Sequence, residues 1–424
     1  MVYLCGVNDI NLTVAVLGGG AAGFFGAIAC AEANPKLTVY LLEKTSKLLG
    51  KVRVSGGGRC NVTHNCGSVA QLIQHYPRGA KQLKEPFHQF GAQDTVQWFE
   101  KRGVPLKTEA DGRMFPTTDS SETIAQCLLD AAHRAGVRVL TSTNAERIEP
   151  LPGGGFALHL TGAAPRVLTV RRLLVATGGL PKSEGYNWLR DLGHSVVEPV
   201  PSLFTFNVPA SPLKELMGVS VPHARVVLAG EKLDYEGPLL ITHWGISGPA
   251  VLKLSAWGAR RLHELQYIGS ALVNWIPTYT EETLRQWLHA FRTDNGRKVV
   301  LSNALFGLPQ RLWRNLAEQA GVDAEVRWSE LPAKTQNRLI ELLLRMPLAV
   351  RGKTTFKEEF VTCGGIPLSE VSMKTMESRL HPGLHFAGEV LDIDGITGGF
   401  NFQAAWTTGF LAGRALGQPK EAGR

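Results

Sequence analysis

Residues 12–43 of this 424-residue chain read LTVAVLGGGAAGFFGAIACAEANPKLTVYLLE, and this stretch decides the fold. The apolar, β-branched run at 12–17 predicts a strand buried on both faces, and LTVYLL at the other end predicts a second strand. Between them, the spacing of Gly18, Gly20 and Gly23 fits G-x-G-x-x-G, and the small apolar residues that follow predict a helix. A strand, a glycine-rich turn, a helix and a second strand make a dinucleotide-binding βαβ unit.

Each of these residue types has a physical role in holding a dinucleotide. Gly18 permits a tight turn, Gly20 lets the backbone approach a pyrophosphate, and Gly23 lets the helix pack against the strand. Glu43 ends the second strand, 20 positions after Gly23, where a carboxylate accepts hydrogen bonds from ribose hydroxyls and repels a 2′-phosphate. The stretch therefore indicates a dinucleotide site rather than an ordinary glycine-rich loop, and it favours FAD or NAD over NADP as the dinucleotide.

Three further segments favour FAD. Residues 47–61, KLLGKVRVSGGGRCN, place three glycines beside Arg59, in a loop that suits a second anionic part of a cofactor; the alternative is a surface linker. Residues 171–179, RRLLVATGG, predict another strand of the same sheet. Near the C-terminus, a strand ends at Glu389, where a carboxylate can bond a ribityl hydroxyl, and a glycine-lined helix start follows at 395–403. Together the segments predict one FAD site built from distant parts of the chain.

Composition bounds the remaining possibilities. Hydrophobic residues make up 44% of the chain and charged residues 19%, which excludes wholesale disorder. Lys and Arg exceed Asp and Glu by 8 and are dispersed, as suits an enzyme that holds an anionic cofactor. The six cysteines form no C-x-x-C, so we expect no zinc ribbon. We also expect a reducing compartment and a cytoplasmic location. The uncharged run 14–31 contains five glycines and follows no basic residue, so we expect neither a signal peptide nor a membrane span.

The chain resembles the BaiN/aminoacetone-oxidase-like family of bacterial FAD-dependent oxidoreductases. The resemblance rests on motifs spread from near the N-terminus almost to the end of the chain. These motifs are GGGAAG (18–23), SGGGRCN (55–61), GRMFPTT (112–118), ATGG (176–179), THWGISGPAVL (242–252), VTCGGIPLSEV (361–371), TMESR (375–379) and GEVLDIDGITGGFNFQAA (388–405). SGGGRCN and the last motif are quite specific to the family, whereas GGGAAG and ATGG occur in many flavoproteins.

The resemblance implies an α/β fold: a Rossmann-like FAD-binding domain of the two-dinucleotide type, with an inserted β-rich domain and a small helical subdomain. The expected divisions are 1–195 and 346–424 for the two parts of the FAD-binding domain, 196–280 for the β-rich insert and 281–345 for the helical subdomain. Many relatives follow ATGG with a Gly-Asp-Gly-Tyr-type segment, whereas this chain has LPKSEGYNWLRDLGH at 180–194. Because of that departure, substrate or nicotinamide contacts of the family's loop are not transferred to this chain.

The resemblance also implies a set of FAD contacts, matched motif by motif. The expected contacts are Gly18, Gly20, Ala21, Ala22, Gly23, Glu43, Lys44, Lys51, Gly57, Arg59, Cys60, Asn61, Ala176, Thr177, Gly178, Gly388, Glu389, Asp394, Gly395, Gly399, Asn401, Phe402 and Gln403.

The expected reaction is hydride transfer between flavin N5 and a small organic substrate, with the protein positioning the ring and tuning its charge. Arg59 could stabilise negative charge on the reduced ring. No side chain stands out as the catalytic acid; the weak candidates are His243, which also suits a plain turn histidine, and Arg113 as an anion or carbonyl binder. Asp392 and Asp394 lack a histidine cluster, so we expect no metal.

Several alternatives stay open at this point. NAD(P)H could reduce the flavin transiently, although LPGGGFAL fits a hairpin better than a second nucleotide fingerprint; otherwise O2 or a quinone takes the electrons. The family includes an amine-type oxidase and a reductase of unsaturated ring ketones, so resemblance does not choose the reaction. Rival functions are an FAD-bound RNA-modifying or RNA-binding protein, which the basic charge favours, and an electron carrier or sensor. The oligomeric state is not encoded in any motif.

Overall fold

The computed structural model describes residues 10–162, 166–355 and 361–418, with the side chain of residue 166 left undescribed. The strands are β1 (Thr13–Leu17), β2 (Thr38–Leu42), β3 (Thr63–His64), β4 (Leu106–Thr108), β5 (Arg113–Pro116), β6 (Arg138–Leu140), β7 (Asn144–Pro150), β8 (Phe156–Thr161), β9 (Arg166–Val170), β10 (Arg172–Val175), β11 (Val197–Ser202), β12 (Thr205–Asn207), β13 (Ser220–Leu228), β14 (Leu233–Ile241), β15 (Gly245–Ser247), β16 (Ile268–Asn274), β17 (Met346–Arg351), β18 (Lys353–Thr354), β19 (Val361–Gly365) and β20 (Leu384–Phe386). The helices are α1 (Ala21–Ala33), α2 (Gly50–Gly58), α3 (Val69–Ile73), α4 (Ala80–Gln89), α5 (Ala92–Glu100), α6 (Ser121–Arg134), α7 (Asn187–Asp191), α8 (Pro249–Trp257), α9 (Ala259–Glu264), α10 (Glu281–Asn295), α11 (Gln310–Gln319), α12 (Ala333–Arg345) and α13 (Phe400–Gly417).

The first compact unit, Met1–Pro201 with Lys357–Arg424, joins the two ends of the chain. Its main sheet has five strands in the order β20-β10-β1-β2-β6, and all of its pairings are parallel. Every residue of β1 is buried, as an apolar run between two covered faces requires. The predicted α/β class is confirmed, and the strand–turn–helix–strand order of the first βαβ unit is confirmed with it.

Helices α1 and α13 pack so closely that glycine is needed at their contact. A Cβ atom on Gly413 would lie 2.2 Å from the carbonyl oxygen of Gly26, and one on Gly409 would lie 2.6 Å from that of Ala22. Backbone therefore meets backbone along this face, as the small residues of both stretches allow. The contact fixes the C-terminal helix on the helix that follows the glycine fingerprint.

The second unit, Ser202–Phe356, is built on one antiparallel seven-stranded sheet in the order β17-β16-β13-β14-β15-β12-β18. One hydrophobic core joins this sheet to helices α8 and α10–α12 and includes Trp275, Trp313 and Trp328. The β-rich and helical stretches that the sequence divided at 280 thus lie in one unit with a shared core. The unit begins at Ser202 and ends at Phe356, whereas the expected insert and helical subdomain together run from 196 to 345.

A buried histidine cluster ties the C-terminal segment of the first unit to the chain before β11. The Nδ1 atom of His194 lies 2.6 Å from a carboxylate oxygen of Glu370, and its Nε2 lies 3.0 Å from the hydroxyl of Ser378. That hydroxyl also accepts the backbone N–H groups of Leu380 and His381. Because its oxygen already makes three hydrogen bonds, Ser378 is a structural residue here rather than a nucleophile.

Among residues 10–162, 166–355 and 361–418, no helix is both long enough and apolar enough to cross a bilayer.

Substitution of Gly413 tests the helix contact. Gly413→Ala is expected to lower the free energy of unfolding by about 1–3 kcal/mol, because the added methyl overlaps a backbone carbonyl that cannot turn aside. Denaturant unfolding followed by circular dichroism measures the change. Gly50→Ala is the control, since a Cβ there would meet no atom within 4 Å. An unchanged unfolding midpoint for Gly413→Ala would contradict the packing described.

The pH dependence of stability tests the buried histidine. Burial lowers the pKa of His194 below its ordinary value, so the unfolded chain binds this proton more readily than the folded chain. The corresponding stability is complete above about pH 6.5 and declines as pH falls below it. His194→Gln is expected to flatten the fall in unfolding temperature between about pH 7 and pH 5. His223→Gln, which changes an exposed histidine of the second unit, should keep the wild-type slope.

Candidate active site

The glycine fingerprint forms the turn between β1 and α1 at the carboxyl edge of the parallel sheet. Gly18 has φ +109°, and a Cβ there would lie 2.3 Å from the carbonyl oxygen of Ala176; a Cβ on Gly23 would lie 1.8 Å from that of Gly18. Gly20 differs, because its φ of −94° suits any residue and a Cβ there would meet no atom within 4 Å. Only Gly20 faces open space, on the side where a ligand's pyrophosphate would approach the helix N-terminus.

Glu43 lies at the end of β2 and braces this turn. One carboxylate oxygen accepts the N–H of Gly19 at 2.8 Å, and the other accepts the N–H and hydroxyl of Thr45, each at 2.9 Å. A carboxylate can accept about four hydrogen bonds, so one more donor can be satisfied at this strand end. Glu43 therefore holds the shape of the loop, and its contact with a ribose stays a prediction.

The turns after β10 and β20 lie on the same edge of the sheet. Ala176, Thr177 and Gly178 follow β10, and a Cβ on Gly178 would meet no atom within 4 Å. After β20, the carboxylate of Glu389 pairs with the ammonium of Lys51 at 2.6 Å. Two residues predicted separately as cofactor contacts thus form an ion pair between segments 338 positions apart.

The SGGGRCN segment is partly helical rather than a simple loop. Helix α2 runs through Gly50–Gly58, but Ser55, Gly56 and Gly57 depart from helical angles within it. A Cβ on Gly57 would meet no atom within 4 Å. Cys60 is fully buried. The Asn61 amide, oriented to satisfy both groups, accepts the N–H of Gly399 and donates to the Thr63 carbonyl, each at 3.0 Å.

Three polar side chains near the start of α13 bond to the protein itself. Asp394 is completely buried and pairs with Arg78. Asn401 accepts the N–H of Gly395 at 2.8 Å and donates to that residue's carbonyl at 2.9 Å. Gln403 is buried, accepts the Thr63 hydroxyl at 2.6 Å and donates to Thr407 at 3.0 Å. These side chains shape the wall of the site, and their direct contact with a cofactor stays a prediction.

Arg59 and Arg113 lie together and share one carboxylate. Arg59 contacts one oxygen of Glu109 at 2.6 Å, Arg113 contacts the other at 3.0 Å, and Arg113 also contacts Asp111 at 2.7 Å. The Arg59 guanidinium lies 4.0 Å from the centre of the Phe115 ring. The hydrogen bond to Glu109 raises the pKa of Arg59 above its ordinary value. Both arginines are thus fixed and largely neutralised, which limits the anion-binding role expected of each.

The remaining predicted residues occupy varied places. Ala21 and Ala22 are the first residues of α1, and Lys44 is exposed. Gly388 donates its N–H to the Thr408 hydroxyl at 2.9 Å. The ring of Phe402 stacks on that of Trp406. His243 lies in the second unit, between β14 and β15, with its ring 4.1 Å from that of Trp244. Its role as an acid stays a prediction.

Sequence reasoning missed Arg78, Glu109 and Thr63. Glu109 and Arg113 are four positions apart around the GRMFPTT motif, and that spacing could have suggested an ion pair. Arg78 and Thr63 carry no such signal, because their partners lie more than 300 positions away. Across the three described ranges, no group of three or more His, Cys, Asp and Glu side chains could hold a metal ion.

A surface cavity in the first unit lies at the other end of the strands. Arg171, Arg172 and His381 line it beside the hairpin that joins β7 and β8. Since Arg172 and Gly383 mark the amino ends of β10 and β20, this cavity is separate from the glycine fingerprint. Ligands of open α/β sheets bind at the carboxyl ends of the strands, so the fingerprint edge stays the expected location of the cofactor.

Comparison with known proteins gives matches over nearly the whole chain. The family model described as HI0933-like protein Rossmann domain matches residues 12–415. The 3-dehydro-bile acid delta(4,6)-reductase of Clostridium scindens is 29% identical over 96% of this chain and 99% of its own. The ribosomal RNA dihydrouridine synthase of Escherichia coli is also 29% identical, over 95% and 97%.

Among solved structures, 3-ketosteroid-delta4-(5alpha)-dehydrogenase from Rhodococcus jostii RHA1 matches with a TM-score of 0.52 and 14% identity. The match covers 98% of this chain and 99% of that one. At this identity, the likeness is one of fold.

The open space at Gly20 provides a test of cofactor binding that is separate from folding. Gly20→Val is expected to lower the free energy of unfolding by no more than about 1 kcal/mol, because valine is a poorer helix N-cap than glycine. It is expected to weaken FAD binding about tenfold or more, or at least about 1.4 kcal/mol, because the side chain fills the space through which the pyrophosphate approaches. Fluorescence titration of the FAD-free protein measures the affinity. Gly153→Ala, a glycine with equally open surroundings in the β7–β8 turn, should bind FAD as the wild type does. Equal affinity for Gly20→Val would place the cofactor elsewhere.

Proposed function

The chain belongs to the HI0933-like Rossmann family and is an FAD-dependent oxidoreductase; on this basis we propose that it reduces a carbon–carbon double bond conjugated with a carbonyl group. The observation that supports the cofactor in this proposal is the carboxyl edge of the parallel sheet. There the glycine fingerprint, Glu43, the turn at 176–178, the Lys51–Glu389 pair and the start of α13 meet in one unit.

The residues at this edge fit FAD. Gly20, Gly57 and Gly178 each leave space that a Cβ would fill without meeting the protein. No side chain caps α1, and no acidic residue lies in its first turn, so its N-terminus can serve an anion. When bound, FAD supplies two-electron hydride chemistry at its N5 atom. The chain's residues hold the pyrophosphate and ribose and shape the pocket.

The bond reduced is inferred from the chemistry shared by two relatives. The name of the bile acid relative describes a reductase acting at double bonds of a 3-oxo ring system, and a dihydrouridine synthase saturates a double bond beside a carbonyl in uracil. Both reactions add hydrogen across an electron-poor C=C bond. Both relatives are 29% identical to this chain, so sequence identity does not favour either substrate. The inference therefore rests on the chemistry that the two reactions share.

Two classes of substrate are compatible with this chemistry, and each is one arm of the test below. A free cyclic enone suits the small-molecule substrate predicted from the sequence. Uridine within ribosomal RNA is the second candidate, and the net charge of +8 favours it because phosphates attract a basic protein. We propose the small-molecule arm as the first to test, since the positive charges are dispersed along the chain. NAD(P)H is the proposed electron donor in either arm.

An anaerobic two-step experiment tests this function. The purified holoprotein is titrated with NADH and then NADPH while the visible flavin band is followed, and bleaching identifies the donor. Protein reduced by dithionite is then mixed with a 3-oxo-Δ4 steroid or with unmodified ribosomal RNA transcribed in vitro. Return of the oxidised band, with a product two hydrogen atoms heavier by mass spectrometry, is the expected result in one arm.

The outcomes separate the alternatives. If the band returns with RNA alone, and RNA affinity falls steeply with salt, then the substrate is nucleic acid. If neither substrate reoxidises the protein, but amines or alcohols reduce it and release peroxide with O2, then the enzyme is an oxidase and the proposal is wrong. A protein that never shows a flavin band, even with added FAD, would contradict the cofactor assignment.

A further inference from the structure

His64 and Cys66 form a hydrogen-bonded pair beside the start of α13. The Cys66 sulfur lies 3.4 Å from Nδ1 of His64. Of the cysteines in the described part of the chain, Cys30, Cys60, Cys127 and Cys363 are buried, whereas Cys66 is partly exposed. Cys66 is therefore the thiol, among those described, that a small molecule can reach from solvent.

The partner of the other imidazole nitrogen fixes the direction of this hydrogen bond. Nε2 of His64 lies 3.0 Å from the backbone carbonyl oxygen of Asp111. A carbonyl oxygen only accepts, so Nε2 carries the hydrogen, and in the neutral ring Nδ1 is then an acceptor. The hydrogen between Cys66 and His64 therefore belongs to the thiol, which donates to the ring.

Two neighbours of the ring and one backbone pairing hold the imidazole in this orientation. Its ring stacks on Phe400 with centroids 4.9 Å apart and an interplanar angle of 21°. A Cβ on Gly112 would lie 2.3 Å from the ring, so glycine is needed there. His64 also pairs with Arg113 where β3 meets β5. The Cys66–His64 pair is thus rigidly placed before any substrate binds.

The pair borders the proposed flavin site through Phe400. This residue opens α13 directly after Gly399, whose N–H is bonded to Asn61, and directly before Asn401. Both neighbours belong to the set expected to contact FAD, as the sequence indicates. The backbone of Phe400 is itself fixed, because its carbonyl accepts the buried Tyr76 hydroxyl at 2.6 Å.

We propose that Cys66 is the proton donor of the reduction, with His64 as the residue that positions and recharges it; this inference rests on the proposed function. A bound flavin would supply the hydride that adds to the β-carbon of the conjugated C=C bond, so that this bond gains two electrons and the flavin loses two. The S–H bond of Cys66 breaks, and its proton forms the new C–H bond at the α-carbon. The resulting thiolate regains a proton from water by way of His64.

The surroundings suit a thiol that donates rather than one that attacks. Burial raises the pKa of the Cys66 thiol to about 11, so it stays protonated at neutral pH. An unpaired thiolate there would be a poor product, but a protonated His64 could donate Nδ1–H to it. The Asp111 carboxylate interacts electrostatically with His64.

The decisive experiment follows the two half-reactions separately in the holoprotein. Cys66→Ala is expected to leave the rate of flavin reduction by its donor unchanged. Its reoxidation by the substrate that the wild type accepts should slow about 100-fold or more, in line with general acid catalysis. Asn65→Ala, on the same loop but exposed, should match the wild type in both steps. In D2O the wild-type product should carry solvent deuterium at the α-carbon, with a solvent isotope effect that the variant lacks.

A second measurement needs no activity. Alkylation of Cys66 by iodoacetamide, followed across pH by peptide mass spectrometry in FAD-free protein, reports the thiol's ionisation. His64→Phe keeps a ring to stack on Phe400 but removes the acceptor of the thiol's hydrogen bond, which stabilises the protonated thiol, so the alkylation profile is expected to shift to lower pH. Identical profiles would show that the two residues share no proton.

The failure modes are distinct. Wild-type protein that no conjugated substrate reoxidises would overturn the proposed function and the donor role with it. Wild-type turnover with undiminished reoxidation of Cys66→Ala would overturn the donor role alone. Equal flavin content and unfolding temperature in the two proteins establish that a slow variant is folded and loaded.

Discussion

The contact between α1 and α13 is the constraint on which the proposed active site depends. Glycines on both helices let their backbones touch, with no room for a Cβ on Gly413. Helix α1 begins at the fingerprint turn, and α13 begins at Phe400, so their close packing brings the two ends of the chain to one edge of the parallel sheet. Dispersion forces and tight packing at such a contact are sensitive to a single added methyl group.

The start of α13 is further anchored by buried hydrogen bonds to the segment between β2 and β4. Trp406 donates to the Val62 carbonyl at 2.9 Å, and Gln403 links Thr63 to Thr407, which in turn donates to the Phe90 carbonyl. A buried hydrogen-bond network in which every polar group has a partner is rigid, and it fixes the position of the start of α13. Hydrogen bonds within the protein therefore fix this part of the proposed site.

Electrostatics at this edge come mainly from the backbone rather than from free cations. Three arginines of the first unit are committed to carboxylates: Arg59 and Arg113, for which the sequence suggested anion contacts, pair with Glu109, and Arg78 pairs with Asp394. A pyrophosphate would then be met by the N–H groups and dipole at the start of α1. Such an arrangement binds an anion through fixed dipoles, without a large excess of positive charge near the reacting ring.

The sequence by itself determined the elements whose cause is local. Hydrophobic runs and glycine spacing determined β1, α1 and β2, and the acidic residue at position 43 marked the strand end, because turn geometry and burial act over a few residues. Family motifs added the C-terminal segments and indicated FAD. In these respects the α/β fold and the flavoprotein class could be predicted before any coordinates were known.

Tertiary structure alone decided what each polar side chain does. Asp394, Asn401 and Gln403 look like ligands in the sequence, yet each is satisfied by a protein partner, because burial of a polar group requires one. Likewise, the pairing of Lys51 with Glu389 and the direction of the hydrogen bond from Cys66 to His64 depend on distances between atoms. The join of the β-rich and helical stretches into one core follows from packing that no local pattern records.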